Sequence, residues 1–341
     1  MIQIDGAVIK NLILHRAGSE EESSVFNDTT VSFEGEEEVI FRKVLLKPFV
    51  SQTQTFEFKH EVGIGYNVLF NLSKSLFEGE EEFIPLSQDI LKHLLASSTH
   101  PNINSGDLFV AHFLGIKINN RELEGIGIYK FEDKESFIET TVADEQVRFS
   151  IRKGIGSKKP DKGVLILATE EPYTLFIIDN NGGETSYWQE DFINHRPKKD
   201  ATNSTHHLMA MAKEFITEKF PSEFEVSKAD QIDLLNRSAN YFKKKELFDR
   251  NEFETEVFAD PTVIDSFKTF DRSYREEKEV EVYDKFEIAP QTVKKQSRIF
   301  KSVLKLDKNF HIYIHGNRDL IEQGVDADGR KYYKIFYENE S

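Results

Sequence analysis

Five short runs between residues 107 and 179, DLFVAHFLGIKI, GIGIYKF, VRFSI, GVLILAT and YTLFIID, are crowded with β-branched and aromatic residues. Between them lie INNREL, FEDKES, GSKKPDKG and TEEP, rich in the Asn, Asp, Gly, Pro and Ser chemistry that reverses a chain. Short apolar runs with short connections predict an antiparallel meander of about five strands. Such a sheet alone leaves an apolar face wet, so helices must cover it. Three candidates precede it. Residues 36–49, EEEVIFRKVLLKPF, suit a helix that ends before Pro48; YNVLFNLSKSLF (66–77) and PLSQDILKHLLASS (85–98) follow, the last with Ile90, Leu91, Leu94 and Leu95 on one side. The opening segment, with Ile2 and Ile4 at period two, suits a strand or a short helix.

Beyond DNNGGETSYWQEDFINHRPKKD the pattern turns helical, which places a domain boundary near 197. Residues 203–219 carry Leu208, Met211, Ala212 and Phe215 on one stripe. A second helix starts with Ser227 and Asp230 at capping-box spacing and has Ile232, Leu235, Ala239 and Phe242 on one face. An acidic helix fills 260–278, and FHIYIH with KYYKIFY forms a closing β-pair. The expectation is an α+β chain. Residues 1–197 form an antiparallel sheet with helices on one face; residues 198–341 form a mainly helical domain that ends in the β-pair.

The 29 Phe and 11 Tyr supply enough aromatic surface for real cores. The absence of cysteine excludes disulfides, thiolate catalysis and Cys-ligated zinc. No run approaches the length of a membrane span, and the first residues lack the marks of a signal peptide, so a soluble cytosolic protein is expected.

Charge is the second informative feature. The chain carries a formal −16, yet residues 288–318 sum to +6, directly after residues 249–287 at −7. At 100° per residue, Lys294, Arg298, Lys301 and Lys305 fall within about 60° of one another on a helix, opposite Val293, Ile299, Phe300, Val303 and Leu304. The stretch therefore predicts an amphipathic helix over 290–305 with a cationic ridge, joined by Lys295, Lys308 and Arg318. Aligned cations about a turn apart can each meet a backbone phosphate, in a contact weakened by salt. The same ridge could dock on carboxylates instead, either of the acidic stretch just before it or of a second subunit, as in a protein-interaction scaffold.

Built chemistry is harder to find. Asp107 with Glu132 and Lys134 has the outline of a Mg²⁺-dependent nuclease site, but these residues fall in turns where charge is common. His311 and His315, with Tyr313, line one side of a strand; His206 and His207 diverge on a helix, and neither pair has the partners of a metal site. Gly63/Gly65, Gly125/Gly127 and Gly154/Gly156 lack the context of a phosphate loop, and no nucleophile elbow is present. No catalytic residue, metal or cofactor is expected.

Four segments, STHPNINSGDLFVAHF (97–113), YWQEDFINHRPKKD (187–200), EFEVSKADQIDLLNRSANYFKK (223–244) and QTVKKQSRIFKSVLKLDKNFHIYIHGNRDLIEQGVDADGRKYYKIFY (291–337), resemble the bacterial nucleoid-associated proteins of the NdpA/YejK type. The resemblance runs through the whole chain in order and rests on no catalytic motif. It implies location at the nucleoid in the cytoplasm, contact with double-stranded DNA and no known enzymatic activity. Arg196 sits where the family places an Arg after a short helix, and it is followed here by Pro197, Lys198 and Lys199. These cations join the candidate DNA contacts. A homodimer would strengthen a modest contact by doubling it.

Overall fold

The computed structural model describes residues 2–339 apart from 80–81, 99, 101–102, 119–120, 157–158, 181–185, 279, 301–302 and 315–319. The chain divides into two compact units, residues 1–198 and 199–341.

The first unit is built on an eight-stranded antiparallel sheet. Its strands are β1 (Ile2–Gln3), β2 (Val8–Ala17), β3 (Phe56–Phe58), β4 (Gly106–Ile118) and β5 (Arg121–Phe131). After the hairpin of β6 (Glu135–Ala143) and β7 (Gln146–Gly154) come β8 (Lys162–Leu167), β9 (Thr174–Asp179) and β10 (His195–Pro197). The order is β4-β5-β8-β9-β3-β10, with β1 and β2 both paired to the free side of β4. Alternation along the central strands feeds two cores. Leu108, Val110, Ile126, Ile128, Val164 and Ile166 face α2 (Val68–Glu78), α3 (Phe83–Ser97) and the π-helical turn Trp188–Ile193. Phe109, Ala111, Phe113, Tyr129, Leu165 and Leu167 face α1 (Glu37–Val50) through Leu45, Leu46 and Phe49.

The α+β class and the antiparallel sheet are as the sequence indicates, while several details differ. Helices cover both faces, because strands buried on both sides present apolar residues to each. VRFSI is not part of the sheet: it lies in β7, which pairs only with β6 in a separate two-stranded hairpin. Helix α1 runs through Pro48 instead of ending before it. Pro48 sits in the last turn, where a missing N–H forfeits one bond at a helix end and the ring is buried.

The second unit packs α4 (Ala201–Glu214), which continues through a π-turn (Phe215–Lys219) into α5 (Phe220–Glu223), against α6 (Lys228–Lys244), α7 (Arg250–Val257) and α8 (Pro261–Lys278). Its core is aromatic: Phe215, Phe242, Phe248, Phe253 and Phe267 are fully buried. Ser227 caps α6 by accepting the backbone N–H of Asp230, whose carboxylate in turn accepts the N–H of Ser227, as the capping-box spacing requires. Strands β11 (Leu247–Asp249) and β12 (Lys285–Glu287) pair, followed by α9 (Pro290–Gln296).

The end of the chain forms two hairpins. β13 (Val303–Leu306) pairs with β14 (Phe310–Tyr313), and β15 (Ile321–Val325) with β16 (Lys331–Ile335). FHIYIH and KYYKIFY therefore each find a local partner and do not pair with one another. A short loop makes the nearer strand the cheaper partner in closure entropy.

Candidate nucleic-acid interface

The helix expected over 290–305 stops at Gln296. One 3-10 turn, Ser297–Ile299, follows, and Val303–Leu306 is a strand. Lys294, Arg298 and Lys305 therefore do not share one helical line. The apolar spacing of Ile299, Phe300, Val303 and Leu304 is helical, and strand pairing overrides it from Val303 on. Leu304 sits opposite Ile312 and turns inward to join Ala229, Ile232, Ile314 and Ile321 in a small core on α6. The loop Asp307-Lys308-Asn309 closes this hairpin, with Asp307 in the left-handed region at φ 50°. Asp and Asn are the residues that tolerate that conformation, and this was the turn signal the helical reading overlooked.

The cations survive the change of framework. Lys294 is exposed on the last turn of α9, which rests on α4 and α6. The N–H of Ala289, just before α9, donates to the Thr205 hydroxyl of α4 at 3.0 Å, and Gln296 meets the His206 ring at 2.6 Å. Arg298 is exposed on the following turn. On the hairpin the inward set, Leu304 and Ile312, leaves an outer face of Val303, Lys305, His311 and Tyr313, with Lys305 directly opposite His311. Lys305, His311 and Tyr313 are exposed there, and Lys308 is exposed in the turn. The amide of Asn236 on α6 donates to the Ile314 carbonyl at 3.1 Å and pins the chain just beyond β14. Lys295 is half-buried, and burial lowers its ammonium from the usual lysine range. Lys301 and Arg318 lie outside the described residues.

Lys294, Arg298, Lys305 and Lys308 have no carboxylate partner among the described residues. Exposed cations without an ion-pair partner among the described residues occur elsewhere too, Lys10, Lys43, Lys243 and Lys331 among them; what distinguishes Lys294, Arg298, Lys305 and Lys308 is that they fall together in one stretch of net positive charge. Several acids of the stretch 249–287 are instead paired with other bases of their own unit. Arg250 reaches Asp284, Asp271 and Glu254 at 2.6, 3.0 and 3.8 Å; Arg275 holds Asp271 at 2.8 Å; Lys285 holds Asp249 at 2.7 Å. Lys245, outside the stretch, reaches in to Glu252 and Glu256 at 2.6 and 2.9 Å. The intramolecular docking of the basic stretch on its acidic neighbour finds no support in these contacts.

The loop cations are engaged within the chain. Arg196 on β10 pairs with Glu57 on β3 at 2.7 Å, and Lys198 donates to the Thr174 hydroxyl at 2.8 Å. Lys199 meets Glu281 at 2.7 Å and lies 4.9 Å from the Tyr283 ring centre. Arg196 and Lys198 belong to the first unit and Lys199 to the second.

The nuclease outline dissolves into ion pairs. Asp107 lies within β4, not in a turn, and is held by Arg16 at 2.7 Å and Lys134 at 2.8 Å. Glu132 is buried against Lys130 at 2.9 Å, and Asp161 accepts the backbone N–H groups of Glu132 and Asp133. No three acidic or histidine side chains converge on a cation position among the described residues.

The family model described as nucleoid-associated protein YejK matches residues 13–335. The chain belongs to this family. The match spans both units, so sheet and cationic hairpin fall within one family pattern. No curated protein sequence matches the chain. Among the described residues, no helix is long and apolar enough to cross a membrane.

Proposed function

We propose that this member of the family is a non-enzymatic nucleoid protein of the cytoplasm. It would bind duplex DNA through the phosphate backbone, with little sequence preference, and act as a homodimer. The observation that carries the reading is the grouping of four exposed cations, Lys294, Arg298, Lys305 and Lys308, in one short stretch, without carboxylate partners among the described residues, in a protein of net charge −16. An acidic body repels a polyanion except where such cations collect, so the contact is local and strongly screened by salt. The exposed rings of His311 and Tyr313 on the same hairpin face add hydrogen-bonding and stacking surface beside Lys305. The four cations sit on a short helix end, a turn and a hairpin, and none of these is a helix shaped to enter a groove and read bases. Lys295 and the Arg196–Lys199 cations have secondary places, since burial or intramolecular partners compete for them.

A mobility shift of duplex DNA at low salt tests this. The wild type is expected to shift duplexes of unrelated sequence, and the shift to fade steeply towards physiological salt. The quadruple charge reversal Lys294→Glu, Arg298→Glu, Lys305→Glu, Lys308→Glu should abolish it, with the circular dichroism spectrum unchanged. Neutralising them singly should each reduce the slope of log K against log salt by about 1. Undiminished binding by the quadruple variant would overturn the assignment.

A further inference from the structure

The β6–β7 hairpin has one mostly apolar side that no described residue covers. Cross-strand register pairs Ile138 with Ile151, Thr140 with Phe149 and Val142 with Val147, all on one side. The five apolar members are between 69% and 79% exposed. The other side is mostly polar apart from Phe137, with Glu139 bonded to Arg152 at 2.9 Å and Ser150 at 3.2 Å. A two-stranded ribbon is marginal in water by itself, and an uncovered apolar side makes it more so.

We propose that this side is the seam between two copies of the chain, packed face to face about a two-fold axis through the Thr140–Phe149 pair. The proposal supplies the surface for the homodimer of the proposed function and rests on that part of the reading. Three features favour a second copy over other occupants. The five apolar residues form one continuous exposed strip, the kind of patch that marks an interaction surface when it is this uncovered. The apolar strip is symmetric enough to meet itself, as an isologous contact requires. Its ends are complementary in charge. Alternation puts Lys153, opposite Ser136, on the apolar side at the base, while Glu145 lies in the turn at the tip. Neither has an ion-pair partner among the described residues. A two-fold axis across the strip lays the base of one copy over the tip of the other and brings Lys153 to Glu145 twice. Nucleic acid fits poorly, because the middle of the strip offers no cation.

Light scattering without DNA tests this, so its failure and that of the DNA reading are separable. The wild type is expected to have twice the chain mass at tens of micromolar. Val142→Glu with Phe149→Glu should halve that mass while leaving the circular dichroism spectrum unchanged. Lys153→Glu should weaken the dimer, and adding Glu145→Lys should restore it. The chain has no cysteine, so a single introduced thiol reports position cleanly. Thr140→Cys should be joined into a covalent dimer by a short bifunctional maleimide, and Thr141→Cys, on the other side, should not. A monomeric wild type, a glutamate variant that stays dimeric, equal cross-linking at both positions, or sedimentation of a monomer with lipid vesicles would each overturn the proposal.

Discussion

Lys130, only 1% exposed, shows how this protein treats charge it has taken inside. Its ammonium donates to the Asn104 carbonyl at 2.6 Å, to Glu132 at 2.9 Å and to the Tyr187 hydroxyl at 3.1 Å. Burial lowers its affinity for the proton, and the neighbouring Glu132 carboxylate works against that shift. Removing one member of such a pair strands the other, a loss of about 3–5 kcal/mol, whereas replacing both with apolar groups of similar volume is far milder. Lys130→Met is therefore expected to lower the denaturant midpoint of the first unit more than Lys130→Met with Glu132→Leu does. A double variant less stable than the single would contradict this account. Lys305 is the opposite case, exposed and without a carboxylate partner among the described residues. Sequence alone shows both as lysine after an apolar residue; only the partners distinguish a structural cation from an available one.

Elements whose signals are local were legible. The Ser227/Asp230 cap fixed the start of α6, and Ser227→Ala should cost about 1 kcal/mol in an equilibrium melt. The acidic helix over 260–278 appears as α8, Pro261–Lys278. Elements defined by pairing were not. β3 and β10 have three residues each, too few to show a period, and they exist because Phe56 and Phe58 meet Pro197 and His195 across the ladder. VRFSI alternates like a half-buried strand because a free amphipathic ribbon has the same period as a sheet strand. The basic stretch has helical apolar spacing throughout, yet the Asp307 turn lets its second half pair as a hairpin instead. That turn provides a test of the interface. Asp307→Val, forced to φ 50°, should lose about 1–2 kcal/mol of local stability, and Asp307→Gly should not. Under the proposed function, the Val variant also binds duplex DNA more weakly although no cation has been removed, as a mobility shift would show.

Across the molecule, six histidines are shifted in one direction, and burial is the leading cause in each. His15, His195 and His207 are lowered to about 4, and His93, His112 and His206 are lowered as well. The unfolded chain takes up their protons near pH 6.5 while the folded chain refuses them until lower pH. The stability held by neutral imidazole is thus complete above about pH 6.5 and lost as pH falls towards 4. Melting curves should move down between neutral pH and about pH 5, by ~2–4 °C for each kcal/mol lost in units of this size. An unchanged melting temperature over that interval would contradict the assignment. Ionic strength acts elsewhere. Arg250, with its side chain 14% exposed among Asp271, Asp284 and Glu254, is sheltered from the mobile ions that screen Lys305 and Lys308. If those lysines hold phosphate, a rise in cytoplasmic salt detaches the protein while its fold stays intact. Occupancy of the chromosome would then follow osmotic conditions directly, with no effector, hinge or covalent mark.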